Sequence, residues 1–385
     1  MTRLYLYALR LSGLLALGGC VDRYTPDVAP TDRSSLVVDG FINAQGSSVI
    51  KLSRSFSVNT KSTPVEAKAQ VFIQDDAGRR YGLAENPAGT YTSATNALDP
   101  SRQYQLRITT SLGREYASDL APVVSTPPID TLTWQLTTVG GIQLYLTTHG
   151  AGLAARYYRW DYEETYQFTA AFQSALEYMA STNTVVSRPP ERQIYTCWRT
   201  EASTQILQGN TVQLSQNTLT DFPLLNVPPD MRLHLGYSVL VRQVAEDQTE
   251  YDYWERLRKN TEALGTVNDP LPGRVTGNVH ALADASEAVL GYVGVHTVTE
   301  KRLFIDGAQF PTPRPSSVLY NAFYASCEPA QSVGDTDPFY LQQFRAGFLI
   351  PIKRNDMTPS LITVSTPACV DCRLRGTNVK PSYWP

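Results

Sequence analysis

At 385 residues the chain is long enough for two or three domains with sizeable cores. Its 42% hydrophobic and 18% charged content belongs to a folded chain rather than a disordered one. A formal net charge of −3 excludes the basic field that nucleic acid or an anionic lipid surface would call for. After residue 20 no stretch approaches ~18 consecutive apolar residues, so none reads as a transmembrane helix.

The chain opens with Arg3 and Arg10, no acidic residue, and a short apolar run from Leu11 to Leu17. A basic start, an apolar segment too short to span a bilayer and small residues behind it predict a secretory signal peptide over 1–19. Cys20 directly follows Leu17-Gly18-Gly19, which resembles the lipobox of bacterial lipoproteins, whose cysteine is lipidated and becomes the first mature residue. Several acyl chains, at about 0.8 kcal/mol per buried CH2, hold such a protein durably on a membrane. Losing two positive charges and no negative one leaves the mature chain at about −5. Residues 20–34, with Pro26 and Pro30, read as the lipidated N-terminus and a tether.

Ordered structure is expected from Ser35. β-rich runs at Leu36–Ile42, Val49–Ser53, Ala69–Ile73, Tyr104–Ile108 and Glu115–Ser118 are broken by turn residues, among them Asp75-Asp76-Ala77-Gly78. Short strands at this spacing predict a sandwich over 35–121. Leu98-Asp99-Pro100 followed by Tyr104 resembles the tyrosine corner of immunoglobulin-like and fibronectin-like domains, where a buried ring bonds back to the main chain.

Pro122, Pro127 and Pro128 mark a boundary, and a second, larger β domain is expected over 127–385. Ile129–Trp134 and Ile142–Leu146 have strand character, and Tyr158, Trp160 and Tyr162 share one strand face that reads as core. Phe172, Leu176 and Met179 fit a short helix. Leu233 to Val241, apolar at each odd position, reads as a half-buried strand. Tyr251, Trp254, Leu257 and Leu264, with Gly265 behind them, predict an amphipathic helix near 250–264. Turn chemistry follows at Asp269–Gly273 and Gly277-Asn278, then a glycine-bearing strand over Val289–Val295, a proline-rich loop from Phe310 to Pro315 and a last β segment over Phe348–Ile352. The fold class is therefore mainly β, an immunoglobulin/fibronectin-like sandwich plus a larger β domain with one or two short helical insertions.

Four cysteines remain besides Cys20: Cys197, Cys327, Cys369 and Cys372. In an exported chain they read as two disulfides, with three pairings open. The rival reading of Cys369-Val370-Asp371-Cys372 as a redox or metal motif is the weaker, because it has neither a second ligand pair nor a βαβ setting. The histidines His149, His234, His280 and His296 are far apart, His234 reading as a solvated residue on its strand's polar face. The chain shows no metalloprotease, serine-hydrolase or phosphate-loop motif. Of the paired carboxylates, Asp75-Asp76 reads as a hairpin turn, and Glu163-Glu164 points to opposite faces of a strand. Glu246-Asp247 is a third pair. The sequence therefore assigns no catalytic, cofactor-binding or metal-ligating residue.

Taken in order, the lipobox, Leu36-Val37-Val38-Asp39-Gly40, Gly89-Thr90-Tyr91, Tyr104-x-Leu106-x-Ile108, Pro127-Pro128-Ile129-Asp130, Tyr158-x-Trp160-x-Tyr162, Gly277-Asn278-Val279, Leu290-Gly291-Tyr292, Cys369-x-x-Cys372 and Pro381-x-x-Trp384 resemble the Bacteroidota lipoproteins of domain-of-unknown-function family 4249. That resemblance implies an outer-membrane lipoprotein, facing the cell surface in preference to the periplasm, with a TonB-dependent receptor barrel as partner. It supplies no catalytic residue, and its helix-poor character departs from the SusD glycan-capturing lipoproteins. The leading expectation is a non-enzymatic accessory or ligand-capturing subunit of a transporter. The alternatives are a surface-tethered hydrolase whose site is assembled only in the fold, and a structural or adhesive module.

Overall fold

The computed structural model describes residues 34–55, 64–150, 155–262, 275–310, 324–327 and 331–385. The expected signal peptide, Cys20, the expected tether as far as residue 33, Leu264-Gly265, the Asp269–Gly273 segment expected as a turn and residues 311–315 of the expected proline-rich loop lie outside these residues.

Alternation of apolar and polar side chains builds the first sheet. Its strands are β1 (Leu36–Asn43), β2 (Val49–Arg54), β3 (Gln70–Asp75), β4 (Arg80–Glu85), β5 (Thr90–Ser93), β6 (Gln103–Thr109) and β7 (Glu115–Ser118). They pair in the order β7-β6-β3-β4-β5-β2-β1. One face of each faces a core of Leu36, Val38, Ile50, Ile73, Tyr91, Leu106 and Tyr116. The tyrosine corner is present: Tyr104, fully buried, donates its hydroxyl to the Asp99 carbonyl at 3.1 Å. Asp75 caps the expected hairpin by accepting from the amides of Ala77 and Arg79.

Two further sheets face each other beyond the proline link. The smaller is built from β8 (Ile129–Leu136), β9 (Ile142–His149) and, later in the chain, β15 (Thr218–Val227), in the order β8-β9-β15. Central to the other is the 13-residue β10 (Tyr157–Thr169). The residues Phe172–Met179, expected as a helix, form a hairpin of β11 (Leu176–Met179) and β12 (Thr184–Ser187) instead. Helical spacing there was a coincidence of apolar side chains; the decisive feature is the turn, where Asn183 takes φ 54°, a conformation asparagine tolerates. Next come β13 (Thr196–Ala202), β14 (Leu207–Asn210), β15 (Thr218–Val227) and β16 (Gly236–Glu246).

Strand β16 starts later and ends later than expected, because Met231–Leu233 is a 3-10 turn, and it is buried on both faces rather than one. Helix α1 (Gln248–Glu262) follows it and packs over the start of β10, with Asp247 accepting from the Glu250 amide at the helix start. Tyr158, Trp160 and Tyr162 are core, as expected. Trp160 stacks on Phe222 and donates to Gln243, whose amide in turn donates to Pro127 O and Thr148 Oγ1, tying the two sheets through a fully buried polar side chain.

The chain then returns to the first sheet. β17 (Val279–Ala281) pairs with β7, while β18 (Val289–Leu290) and β19 (Val295–His296) run parallel to β1. The sheet of residues 35–121 is thus completed by strands from beyond residue 278. Gly277-Asn278, expected as a turn, is the clasp. Asn278 is buried and bonds Val293 through both ends of its amide, at 3.0 and 2.8 Å. Gly291, at φ +127°, lets this segment touch β1: a Cβ there would lie 2.0 Å from Val38 O, and one on Gly277 1.6 Å from Gly291 O. The glycines thus mark the close backbone approach that their place in a strand-like run suggested. The proline link is stitched in too, Val124 bonding Val295 O and Thr126 bonding Thr297 and Ala245.

Strand β20 (Val298–Asp306) next completes the sheet order β13-β10-β16-β20. A satellite sheet of β21 (Gln331–Gly334), β22 (Ile350–Arg354) and β23 (Leu361–Ser365) packs with the β11–β12 hairpin and with α2 (Pro338–Arg345), a helix the sequence reading did not anticipate. α3 (Pro367–Val370) leads to the cysteine pair, which is structural: Cys197 joins Cys372 and Cys327 joins Cys369. By the chain-entropy account, closing loops of 175 and 42 residues stabilises by about 5 and about 4 kcal/mol. The terminal Trp384 packs edge-on against Phe304 and Trp198, and Arg302 lies 3.7 Å over the Tyr383 ring.

Candidate functional site

Strand β10 carries a buried ion cluster near each end, on opposite faces. At its start Arg159 points away from the aromatic core, as alternation requires of an odd-numbered neighbour of Tyr158 and Trp160. α1 covers that face. Arg159 Nε bonds Glu246 Oε1 at the end of β16, its Nη2 lies 3.7 Å from Glu250 Oε1 on α1, and its guanidinium stacks 4.4 Å over the Trp254 ring. His296 on β19 completes the group, with Nε2 3.3 Å from Glu250 Oε1, though out of hydrogen-bond alignment. The side chains of His296 and Glu246 are fully buried and that of Glu250 is 3% exposed.

The cluster therefore holds one fixed cation, two carboxylates and one imidazole out of water. Burial, and then the charge of Glu250 against the relief from Arg159, pushes the Glu246 carboxyl up to about 7. Burial opposes ionisation of Glu250 as well, but His296, followed by Arg159 and the Trp254 indole, leaves it below the ordinary carboxylate value. Among the described residues Glu246 Oε2 and both ring nitrogens of His296 have no hydrogen-bond partner. Gly294 makes the arrangement possible, since a Cβ there would lie 2.1 Å from Glu250 Oε2 and 2.4 Å from His296 Cε1.

The second cluster lies toward the other end of β10, on the core side. Glu164 accepts from the Tyr237 hydroxyl at 2.6 Å and from Arg232 Nη1 through both oxygens at 3.1 Å. Arg232 also forks onto Asp230. Burial and the Glu164 charge hold the Tyr237 phenol well above its usual range, so it is a hydroxyl donor at any ordinary pH. Asp230 is one-third exposed, which leaves the excess negative charge of this group in contact with water.

Glu163, opposite in direction to Glu164, faces Arg242 and Arg302 on the outer sheet surface, so the pair shares no site. Glu246 and Asp247 also part, one into the first cluster and one into the helix cap. His149 meets Asp130 at 2.8 Å and His280 faces Asp119 at 3.3 Å, both at the surface. His234 is half-buried behind the 3-10 turn rather than on a strand. Phe310, which opens the proline-rich loop, is buried and stacks on Trp134. No group of three or more His, Cys, Asp or Glu side chains suited to a metal occurs among the described residues, and no helix there is long and apolar enough to cross a membrane. Sequence reasoning missed Arg159, Glu250 and His296. The available signal was a charged residue alternating with core aromatics and a histidine directly after the apolar run Val293–Val295, both of which need a buried partner.

Comparison with solved structures finds remote likeness to proteins of other kinds. A cytokine receptor complex is 9% identical, over 70% of this chain and 96% of that chain, at a TM-score of 0.21. A two-domain fibronectin type-III segment from chicken tenascin is 11% identical, over 54% and 88%, at 0.16. The Yersinia pseudotuberculosis adhesin InvE is 16% identical, over 55% of each chain, at 0.14. These values carry no functional argument. A search of the curated proteins finds no match. One family profile does match, over residues 21–302, which takes in the first sheet, the clasp and both ion clusters and stops within β20. The chain belongs to the family described as Domain of unknown function (DUF4249).

Proposed function

We propose that this protein is a lipid-anchored, non-enzymatic accessory subunit of a TonB-dependent transporter in an outer membrane. The observation that carries the reading is Leu17-Gly18-Gly19-Cys20 ahead of a β body that begins at Leu36. The fourteen or so residues between could reach at most about 50 Å. A tether of that length confines the body to the membrane surface and raises its effective concentration at a neighbouring barrel, so that weak contacts suffice. Family membership supports the reading through the company such lipoproteins keep. A hydrolase needs its carboxylates open to a cleft, whereas Glu246 and Glu250, one of the pairs the fold brings together, are shut in against Arg159.

The test is purification of the full-length lipidated protein from its native membrane in mild detergent, with all co-purifying chains identified. A TonB-dependent barrel in stoichiometric amount is the expected result. Recovery of the lipoprotein alone removes the transporter role, and a Cys20→Ala chain that stays on the membrane removes the anchor.

A further inference from the structure

The Arg159 cluster lies at the joint between the first sheet and the rest of the molecule. His296 belongs to β19, the strand that closes β1; Glu246 and Glu250 belong to β16 and α1; Arg159 belongs to β10. One fixed positive charge faces two buried carboxylates, so neutrality requires one further proton, on Glu246 or on His296. The position of that proton is not fixed by hydrogen bonds, for Glu246 Oε2 and the His296 nitrogens have no partner aligned with them. We propose that this cluster is a proton-operated latch, which holds β19 against β16 and α1 while its one exchangeable proton is bound and loosens that joint when the proton leaves.

The surroundings favour that direction. Among the described residues, charged and titratable groups around the cluster come from four elements. β10 supplies Arg159, with Asp161 one step along the same face; β16 and the helix cap supply Glu246 and Asp247; α1 supplies Glu250; the segment before β19 supplies Tyr292, which also feels Asp119, while Tyr253 on α1 faces Asp39 and Arg256. From β1 comes the Phe41 ring, 5.2 Å from His296. Arg159 is thus the one cation within the group that stays charged at any pH, and it is taken up chiefly by Glu246. With the proton gone, Glu250 and Glu246 repel each other where little water can screen them. The yielding element is β19, a two-residue strand behind the Gly294 contact, whereas β10 and β16 are held along eleven paired residues.

Hydrogen exchange on the full chain tests this. The amides of Ile42 and Ala44 bond Gly294 O and His296 O, so their protection reports the joint directly. Raising pH from about 6 to about 8 should lower their protection, beyond the intrinsic base-catalysed change, roughly tenfold more than that of Leu106 in β6, which follows global stability alone. Glu246→Gln, which keeps a neutral side chain of the same shape, should abolish the pH effect at Ile42 and Ala44. Protection unchanged with pH in the wild-type chain overturns the proposal, as does an equal loss at Leu106, which would signify global destabilisation. Should Glu246→Gln fail to fold, the His296 ring resonances of the wild-type chain decide. A titration coincident with the loss of protection supports the latch, and a ring that does not respond across that range overturns it.

Discussion

The two ion clusters of β10 are built from the same parts, an arginine and two carboxylates, yet they are finished differently. At Glu164 each carboxylate oxygen is bonded, the phenol of Tyr237 donates, and the surplus charge rests on one-third-exposed Asp230. At Arg159 both carboxylates are interior, the added group is an imidazole, and three polar atoms lack aligned partners. The first arrangement fixes structure at any pH, and the second makes structure depend on a proton. What separates them is access to water and the choice of tyrosine or histidine as third partner, not the number of charges.

The largest effect that would sharpen this contrast is expected from Arg159→Met. It leaves two interior carboxylates without a fixed cation and should cost about 3–5 kcal/mol by denaturant midpoint, whereas Arg232→Met should cost less because Asp230 is already solvated. Equal losses would break the comparison. Next, Gly294→Ala drives a methyl into Glu250 and His296 and should cost about 2–3 kcal/mol in thermal unfolding; an unchanged melting temperature would mean that the joint is loosely packed. Tyr237→Phe removes one donor from buried Glu164, a loss of about 1–3 kcal/mol that should be the same at pH 6 and pH 8.

Wild-type stability should instead fall between those conditions. Folding raises the Glu246 pKa, so its proton favours the native state below the ordinary carboxylate value and that advantage is lost as pH rises through about 7. Flat stability over that range, followed by denaturant unfolding, would put the two clusters on the same footing. Smallest, Tyr104→Phe at the tyrosine corner removes a neutral hydrogen bond to Asp99 and should cost about 1 kcal/mol, without pH dependence.

How much of this was legible in the sequence follows from what periodicity measures. It reports which face of an element is apolar, so β1, β9, the Tyr158-Trp160-Tyr162 face and the hairpin at Asp75 could all be read. It is silent about partners. Arg159 finds Glu246 87 residues away, and β1 finds its closing strand near residue 295. Short apolar spacings are also ambiguous, which is why Leu176–Met179 reads as helix until the Asn183 turn is recognised. The disulfide pairing was open for the same reason, since four cysteines allow three pairings that only the fold distinguishes.

The Asn278 clasp has a consequence for how the chain must come into being. β1 is among the first ordered segments made, but the strands beside it, β18 and β19, arrive some 250 residues later. Until then the early sheet presents an unpaired edge along β1 and another along β7, the condition that invites sticking to neighbouring chains. Loop closure over so long a separation is slow in itself. A chain built this way would therefore spend much of its synthesis unable to finish its own first domain, and residues 35–121 produced alone should aggregate rather than fold.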